Sequence, residues 1–179
     1  MNKTFHLIYL SLLTAQSLAL FMFESLLPMP FLAPGAKLGL ANLITVIALY
    51  TLPRARDVLL VLLVRLLLAT MFGGGPTILV YSLSGALISF AAMYLLKRSQ
   101  AFSILGVSAA GGFFHNVGQL SIASIVIHNN GLWLYLPILG PMGIFTGLLI
   151  GWTAGFSVKK LQHFPAFQPP ETTAPSQKH

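Results

Sequence analysis

The sequence predicts an all-α integral membrane protein, about six transmembrane helices in one bundle, and three observations carry that prediction. Hydrophobic residues make up 56% of the chain and charged residues 7%, against roughly 45–50% and about 25% in soluble domains; mean hydropathy is +0.83. The apolar residues gather into runs bounded by Pro, Gly or charge, at about 6–27, 38–52, 57–72, 76–96, 101–127 and 132–156, near the ~20 residues that one bilayer crossing requires. Threading six crossings places Lys3, Arg54, Arg56, Lys97, Arg98, Lys159, Lys160 and Lys178 on one side, with Lys37 alone on the other and Arg65 inside the third run. The 179 residues leave no room for a second folded domain once these crossings are placed.

The first run is expected to be a retained helix. It carries Glu24 and lacks a small-x-small cleavage site at its end, unlike a secretory signal. Ser11, Ala15 and Ala19 recur every four residues along it, a spacing that lets helix backbones approach closely in lipid. Packing within the chain and docking of another membrane subunit are equally served by that stripe. Pro28, Pro30, Pro34 and Gly35 then shape a loop leading to Lys37 and Asn42.

The second and third runs are short for a straight crossing, which points to thin local bilayer or to helices continuing into flanking segments. Fusing them across Pro53 would place Arg54, Arg56 and Asp57 in hydrocarbon, a costly arrangement, so two separate helices are preferred. Arg65 lies about 12 Å along the third helix from Asp57, near the bilayer middle. The Gly73-Gly74-Gly75-Pro76 run reads as a tight turn with Pro76 opening the fourth helix.

In the fifth run Gly106, Ala109, Ala110, Gly111 and Gly112 precede His115, Asn116 and Gln119, of which His115 and Gln119 share a helix face. His128, Asn129 and Asn130 read as a turn. The sixth run carries Gly143, Gly147, Gly151 and Gly155 at four-residue spacing, expected to serve intramolecular packing, while Pro137 and Pro141 should kink its outer half. Beyond it, Pro165, Pro169, Pro170 and Pro175 stand among polar residues. The expected organisation is a six-helix transmembrane domain over 1–158 and a disordered cytoplasmic tail over 159–179.

Function classes narrow by elimination. The basic bias follows the positive-inside rule, which puts both termini in the cytoplasm of a multi-pass plasma-membrane protein and removes the case for nucleic acid. There is no Cys, hence no thiolate site or cysteine nucleophile. The three acids, Glu24, Asp57 and Glu171, lie on separate segments, whereas magnesium–diphosphate chemistry needs clustered carboxylates. No G-x-x-x-x-G-K-[ST] occurs, so ATP hydrolysis is not expected of this chain. Neither a catalytic residue, a cofactor nor a metal is expected.

The polar residues at membrane depth remain. Arg65 must face protein or water, either toward a substrate or as a hub for backbone carbonyls. His115, Asn116 and Gln119, with Asn42, read as a cavity wall or as an interhelical hydrogen-bond clamp. Glu24 is expected either to pair with Lys37 and pin the intervening loop as a gate, or, like Lys37, to face a ligand. The cations Lys37 and Arg65 favour a small anionic or carbonyl-rich solute.

Glu24-Ser-Leu-Leu-Pro28, Pro34-Gly-Ala-Lys-Leu-Gly-Leu-Ala-Asn42, Phe72-Gly-Gly, Tyr81-Ser-Leu-Ser-Gly85 and His115-Asn-Val-Gly-Gln119 together resemble the heptaprenyl diphosphate synthase component I family, also labelled the Gx transporter family. That family is similar to the substrate-capture S components of energy-coupling factor transporters. The resemblance covers roughly residues 6–160. It implies an importer's substrate-binding subunit for a vitamin- or prenyl-like solute, partnered by a membrane coupling subunit and cytoplasmic ATPases, with Ala15 and Ala19 matching the Ala-x-x-x-Ala docking pattern. A second reading is an accessory membrane subunit of isoprenoid or quinone metabolism, anchoring a synthase or a flavin- or quinone-linked electron-transfer partner. A stand-alone facilitator is a third.

Overall fold

The computed structural model describes residues 3–26 and 40–164. These form six α-helices, α1 (Lys3–Leu26), α2 (Ala41–Thr51), α3 (Ala55–Ala69), α4 (Gly75–Ser99), α5 (Ile104–Ile127) and α6 (Leu136–Gln162), with a π-helical turn over Thr70–Gly74 and a 3₁₀ turn over Asn130–Tyr135. No strand occurs among the described residues. Four stretches, within α1, α4, α5 and the 3₁₀–α6 segment, are long and apolar enough to cross a membrane. Of the six crossings expected, length and composition support four; the second and third, expected to be short, are α2 with 11 residues and α3 with 15 residues that include Arg56, Asp57 and Arg65.

The bundle is built inside out relative to a soluble one. Leu7, Leu95, Ile125 and Phe145 are 60–65% exposed, while Ser17, Glu24, Asn42, Arg65, Ser89 and Asn116 are buried. A water-soluble helix would bury the first set and expose the second; in hydrocarbon the polar groups find partners only inside the protein. Tertiary hydrogen bonds follow that logic: Ser89 Oγ donates to the Gly111 carbonyl and Ser84 Oγ to that of Gly118, both at 2.8 Å.

Helices α3 and α4 form an antiparallel hairpin. Leu62 and Leu66 pack with Ala86 and with Leu79, Leu83 and Phe90, although Leu62 and Ala86 would stand about 36 Å apart on one straight helix. The reversal falls at the Gly-rich π turn and the Gly75–Pro76 start of α4, where the sequence predicts a turn. Helix α5 lies between α4 and α6. A methyl group at Gly118 would reach to 2.8 Å from Gly85 Cα, and one at Gly112 or Gly143 would collide with the backbone of the other. Gly147 and Gly151 press in the same way on Ser108 and Leu105. Three of the four glycines of the α6 stripe therefore serve packing within the chain.

One end of the bundle is basic. There His6 Nε2 lies 3.3 Å from Asp57 Oδ2, Tyr9 and Thr51 share a 2.9 Å hydrogen bond, and the Lys97 ammonium donates to the Leu49 carbonyl over the Tyr50 ring. These contacts gather the starts of α1 and α3 and the ends of α2 and α4. Ile104 of α5 and Leu161 of α6 pack on the same core.

Boundaries differ from expectation for local reasons. Helix α5 starts at Ile104 rather than 101, since Ser103 caps it by accepting the Gly106 N–H at 3.3 Å. His128 ends it in the left-handed conformation at φ 52°, and Asn129 Oδ1 accepts the Gly131 N–H at 2.8 Å, which makes this segment the expected turn. Helix α6 continues to Gln162, so Lys159 and Lys160, placed in the tail by composition, form its last turn, where cations meet the negative end of the helix dipole. Residues 165–179, the rest of the expected tail, lie outside the described residues.

Candidate functional site

Away from the basic end, five helices converge on a small cavity with several polar residues around it. Phe21 and Glu24 reach it from α1, Ala41 and Asn42 from α2, Arg65 from α3, Ser82 from α4 and His115 from α5. Glu24 lies on the last turns of α1, about 27 Å along the axis from His6, and so at the far end of the bundle from Asp57. The residues of α2 that enter the cavity are its first two, Ala41 and Asn42, buried because Phe21, Ala41 and Ala69 pack together beneath them. Arg65 enters from α3 because the apolar neighbours on its own face, Val58, Val61, Leu62 and Leu66, are in the core.

Arg65 dominates the electrostatics. It is 4% exposed, its guanidinium sits 5.9 Å from the centre of the Phe21 ring, within cation–π range, and the Glu24 carboxylate is close enough to act on its charge. Its Nε has no hydrogen-bond partner among the described residues. A buried donor left without an acceptor costs about 1–3 kcal/mol or more for a charged group, and such groups mark sites that a ligand or water completes. Glu24 Oε2 also accepts the Leu40 N–H at 3.1 Å. The carboxylate expected to pair with Lys37 thus faces Arg65 and the entry of α2; Lys37 lies outside the described residues.

A second polar cavity lies deeper, between α2, α5 and α6, and shares Asn42 and His115 with the first. Ser108, Asn116 and Thr146 add polar groups, and Gly112, Gly143 and Gly147 supply open backbone. Asn116 Nδ2 donates to the Leu139 carbonyl of α6 at 2.6 Å, so the expected interhelical clamp and the expected cavity wall are one residue. The Ser108 hydroxyl is buried without a hydrogen-bond partner among the described residues. The two cavities enclose about 20 and 10 Å³, each the space of about one water molecule. A larger solute requires the helices to part.

The residues proposed from sequence divide accordingly. Arg65, Asn42, His115, Asn116 and Glu24 come together around the two cavities. Gln119 lines neither; it is half-buried, with its Cγ against Gly85 at the α4–α5 crossing. Ala15 and Ala19 are exposed on the outer surface of α1, as is Ser11. Phe21, Ser82, Ser108 and Thr146 were not readable in advance, since one aromatic or hydroxyl residue in an apolar helix gives no sign of which face it occupies. Position Ser108 within the small-residue stretch before His115 is the one signal that pointed toward it.

Among the described residues no group of three or more His, Asp or Glu gathers as a metal site would require. A family model described as heptaprenyl diphosphate synthase component I matches residues 13–157, a stretch that contains every described residue of both cavities. No curated protein and no solved structure matches the chain. With the family model spanning most of the sequence, the chain belongs to the heptaprenyl diphosphate synthase component I family.

Proposed function

We propose that this chain is the substrate-binding membrane subunit of an energy-coupling-factor-type importer, with six crossings and both termini in the cytoplasm. The observation that carries the reading is Arg65, a buried guanidinium whose Nε has no hydrogen-bond partner among the described residues and which lines a cavity shared by five helices. A charged group so placed in a small membrane protein is a recognition element before it is a packing element. Arg65 receives an acceptor group of the solute, His115 and Asn42 orient it from the opposite wall, and Asn116 and Ser108 take its deeper part. Glu24 balances the Arg65 charge while the site is empty and moves aside for an anionic or carbonyl-rich group.

The partners follow from what the chain lacks and what it exposes. Transport energy comes from cytoplasmic ATPases through a membrane coupling subunit, which docks on the exposed Ser11, Ala15 and Ala19 face of α1. The site's test is extraction of the small molecules that travel with the purified protein, identified by mass spectrometry. The compound recovered from the native chain is expected to be absent from Arg65→Ala and depleted from Asn116→Ala; equal recovery from all three overturns the site assignment.

The family description favours a second reading, an accessory subunit of isoprenoid metabolism. In that case the chain anchors a soluble prenyl-transferring partner, and the acids Glu24 and Asp57, at opposite ends of the bundle, have no shared role. Recovery of a prenyl transferase instead of ATPases from mildly solubilised membranes supports this reading.

A further inference from the structure

The C-terminal end of α6 carries a feature that neither substrate capture nor partner docking uses. Trp152, Phe156 and Lys160 are spaced four apart and lie along one side of the helix, with Phe164 two residues beyond its end; the three aromatics are 57–60% exposed, and Trp152 and Phe156 meet edge to face at 5.4 Å. Gly155 lies beside them. Unlike Gly143, Gly147 and Gly151, it has no atom within 4 Å of where a Cβ would stand, so the glycine leaves a shallow open groove along the aromatic ladder. At the groove's end are the exposed Lys159, Lys160 and His163.

The charge around this groove is one-sided. Arg54, Arg56 and Arg98 are exposed at the same end of the bundle. The two acids among the described residues are both buried, Glu24 in the cavity and Asp57 against His6. No exposed carboxylate among the described residues neutralises the lysines. The ladder's depth selects the occupant: Trp152 lies about 10 Å along the axis from Lys159, on the hydrocarbon side of the basic end, where an acyl chain reaches and a water-soluble acidic partner does not. We infer that the α6 groove at Gly155 is a binding site for one anionic phospholipid, its acyl chain on Trp152 and Phe156 and its phosphate between Lys159 and Lys160. Aromatic rings at the interface and paired cations beside it are the chemistry that recognises such a lipid.

The chain carries two tryptophans, so Trp133→Phe leaves Trp152 as a single reporter beside the groove. The protein is reconstituted in phosphatidylcholine vesicles containing brominated phosphatidylglycerol or brominated phosphatidylcholine. Quenching of Trp152 by the brominated anionic lipid is expected at about fivefold lower mole fraction, the factor that one favourable cation contact near a membrane surface supplies, and to weaken in high salt. Replacing both lysines, Lys159→Gln with Lys160→Gln, is expected to remove the preference and leave quenching by brominated phosphatidylcholine unchanged, which shows that the variant remains inserted. Equal quenching by the two lipids, or a preference that survives the double substitution, overturns the assignment. Quenching by neither lipid also overturns it and identifies a protein cover, such as a second copy of the chain, over the groove.

Discussion

Arg65 and Asn116 are both buried polar residues at membrane depth, yet they are held very differently. Asn116 has a defined partner in the Leu139 carbonyl; Arg65 has a ring beneath it, a carboxylate near it and an Nε with no acceptor among the described residues. Substitution should separate the two roles. Asn116→Ala is expected to lower the thermal stability of the purified protein by about 0.6–1.7 kcal/mol, the range of interhelical hydrogen bonds in membranes. Arg65→Ala is expected to weaken solute binding by about 2 kcal/mol or more, roughly thirtyfold, in equilibrium binding with the co-purifying compound. Arg65→Lys should not restore it, because a lysine lacks the planar fork and the stacking surface that meet Phe21. Retained affinity in Arg65→Lys would show that charge alone suffices there.

Arg65 and His115 were legible as site residues because hydrophobic surroundings make any polar group conspicuous, and a charge in the middle of an apolar run has few places to go. The approach of Arg65 to Glu24 was not legible, while the expected partner Lys37 lies outside the described residues. Sequence places Lys37 at the near end of the same loop, whereas the fold brings Arg65, 41 positions away, into the cavity that Glu24 lines. That proximity depends on how α1 and α3 cross, which no local pattern encodes. The position of Gln119 was hidden for a related reason: sharing a face with His115 fixes its direction from α5, and the fold brings α4 close to it at Gly85.

The helices themselves divide by what their small residues do. The glycines of α5 and α6 touch backbone to backbone, and Gly112→Ala is expected to force the two helices apart and cost about 1–3 kcal/mol, seen as a lower unfolding temperature in detergent. Gly155→Ala meets nothing and should be neutral or stabilise by up to about 1 kcal/mol, since alanine is the better helix former. Equal destabilisation by the two substitutions contradicts the packing described. The small residues of α1 are the opposite case. Ala15 and Ala19 face outward, so Ala15→Leu with Ala19→Leu should leave the fold and unfolding temperature intact while weakening association with a membrane partner. Four-residue spacing was readable in both helices; which stripe turned inward was not, because spacing reports that a close approach is possible and the neighbours decide which helix makes it.

At the scale of the whole molecule, composition settled the helical membrane architecture and charge asymmetry gave one end of the bundle its basic character. The short second and third runs are the short helices α2 and α3, of 11 and 15 residues. The natural absence of Cys makes the topology easy to test. Ser99→Cys, at the basic end, is expected to react with an impermeant thiol reagent from the cytoplasmic side, and Asn130→Cys, in the turn after α5, from the outside. Labelling of both from one side contradicts the proposed orientation.

On the importer reading, a bundle with a buried cationic site and single-water cavities acts as part of a larger assembly. The most direct measurement is the protein composition of the complex purified through this chain from mildly solubilised native membranes, compared between the native chain and the Ala15→Leu, Ala19→Leu variant. The importer reading predicts a polytopic coupling protein and cytoplasmic ATPases with the native chain, both lost from the variant. Recovery of a soluble prenyl transferase without ATPases, unaffected by the α1 substitutions, would contradict it.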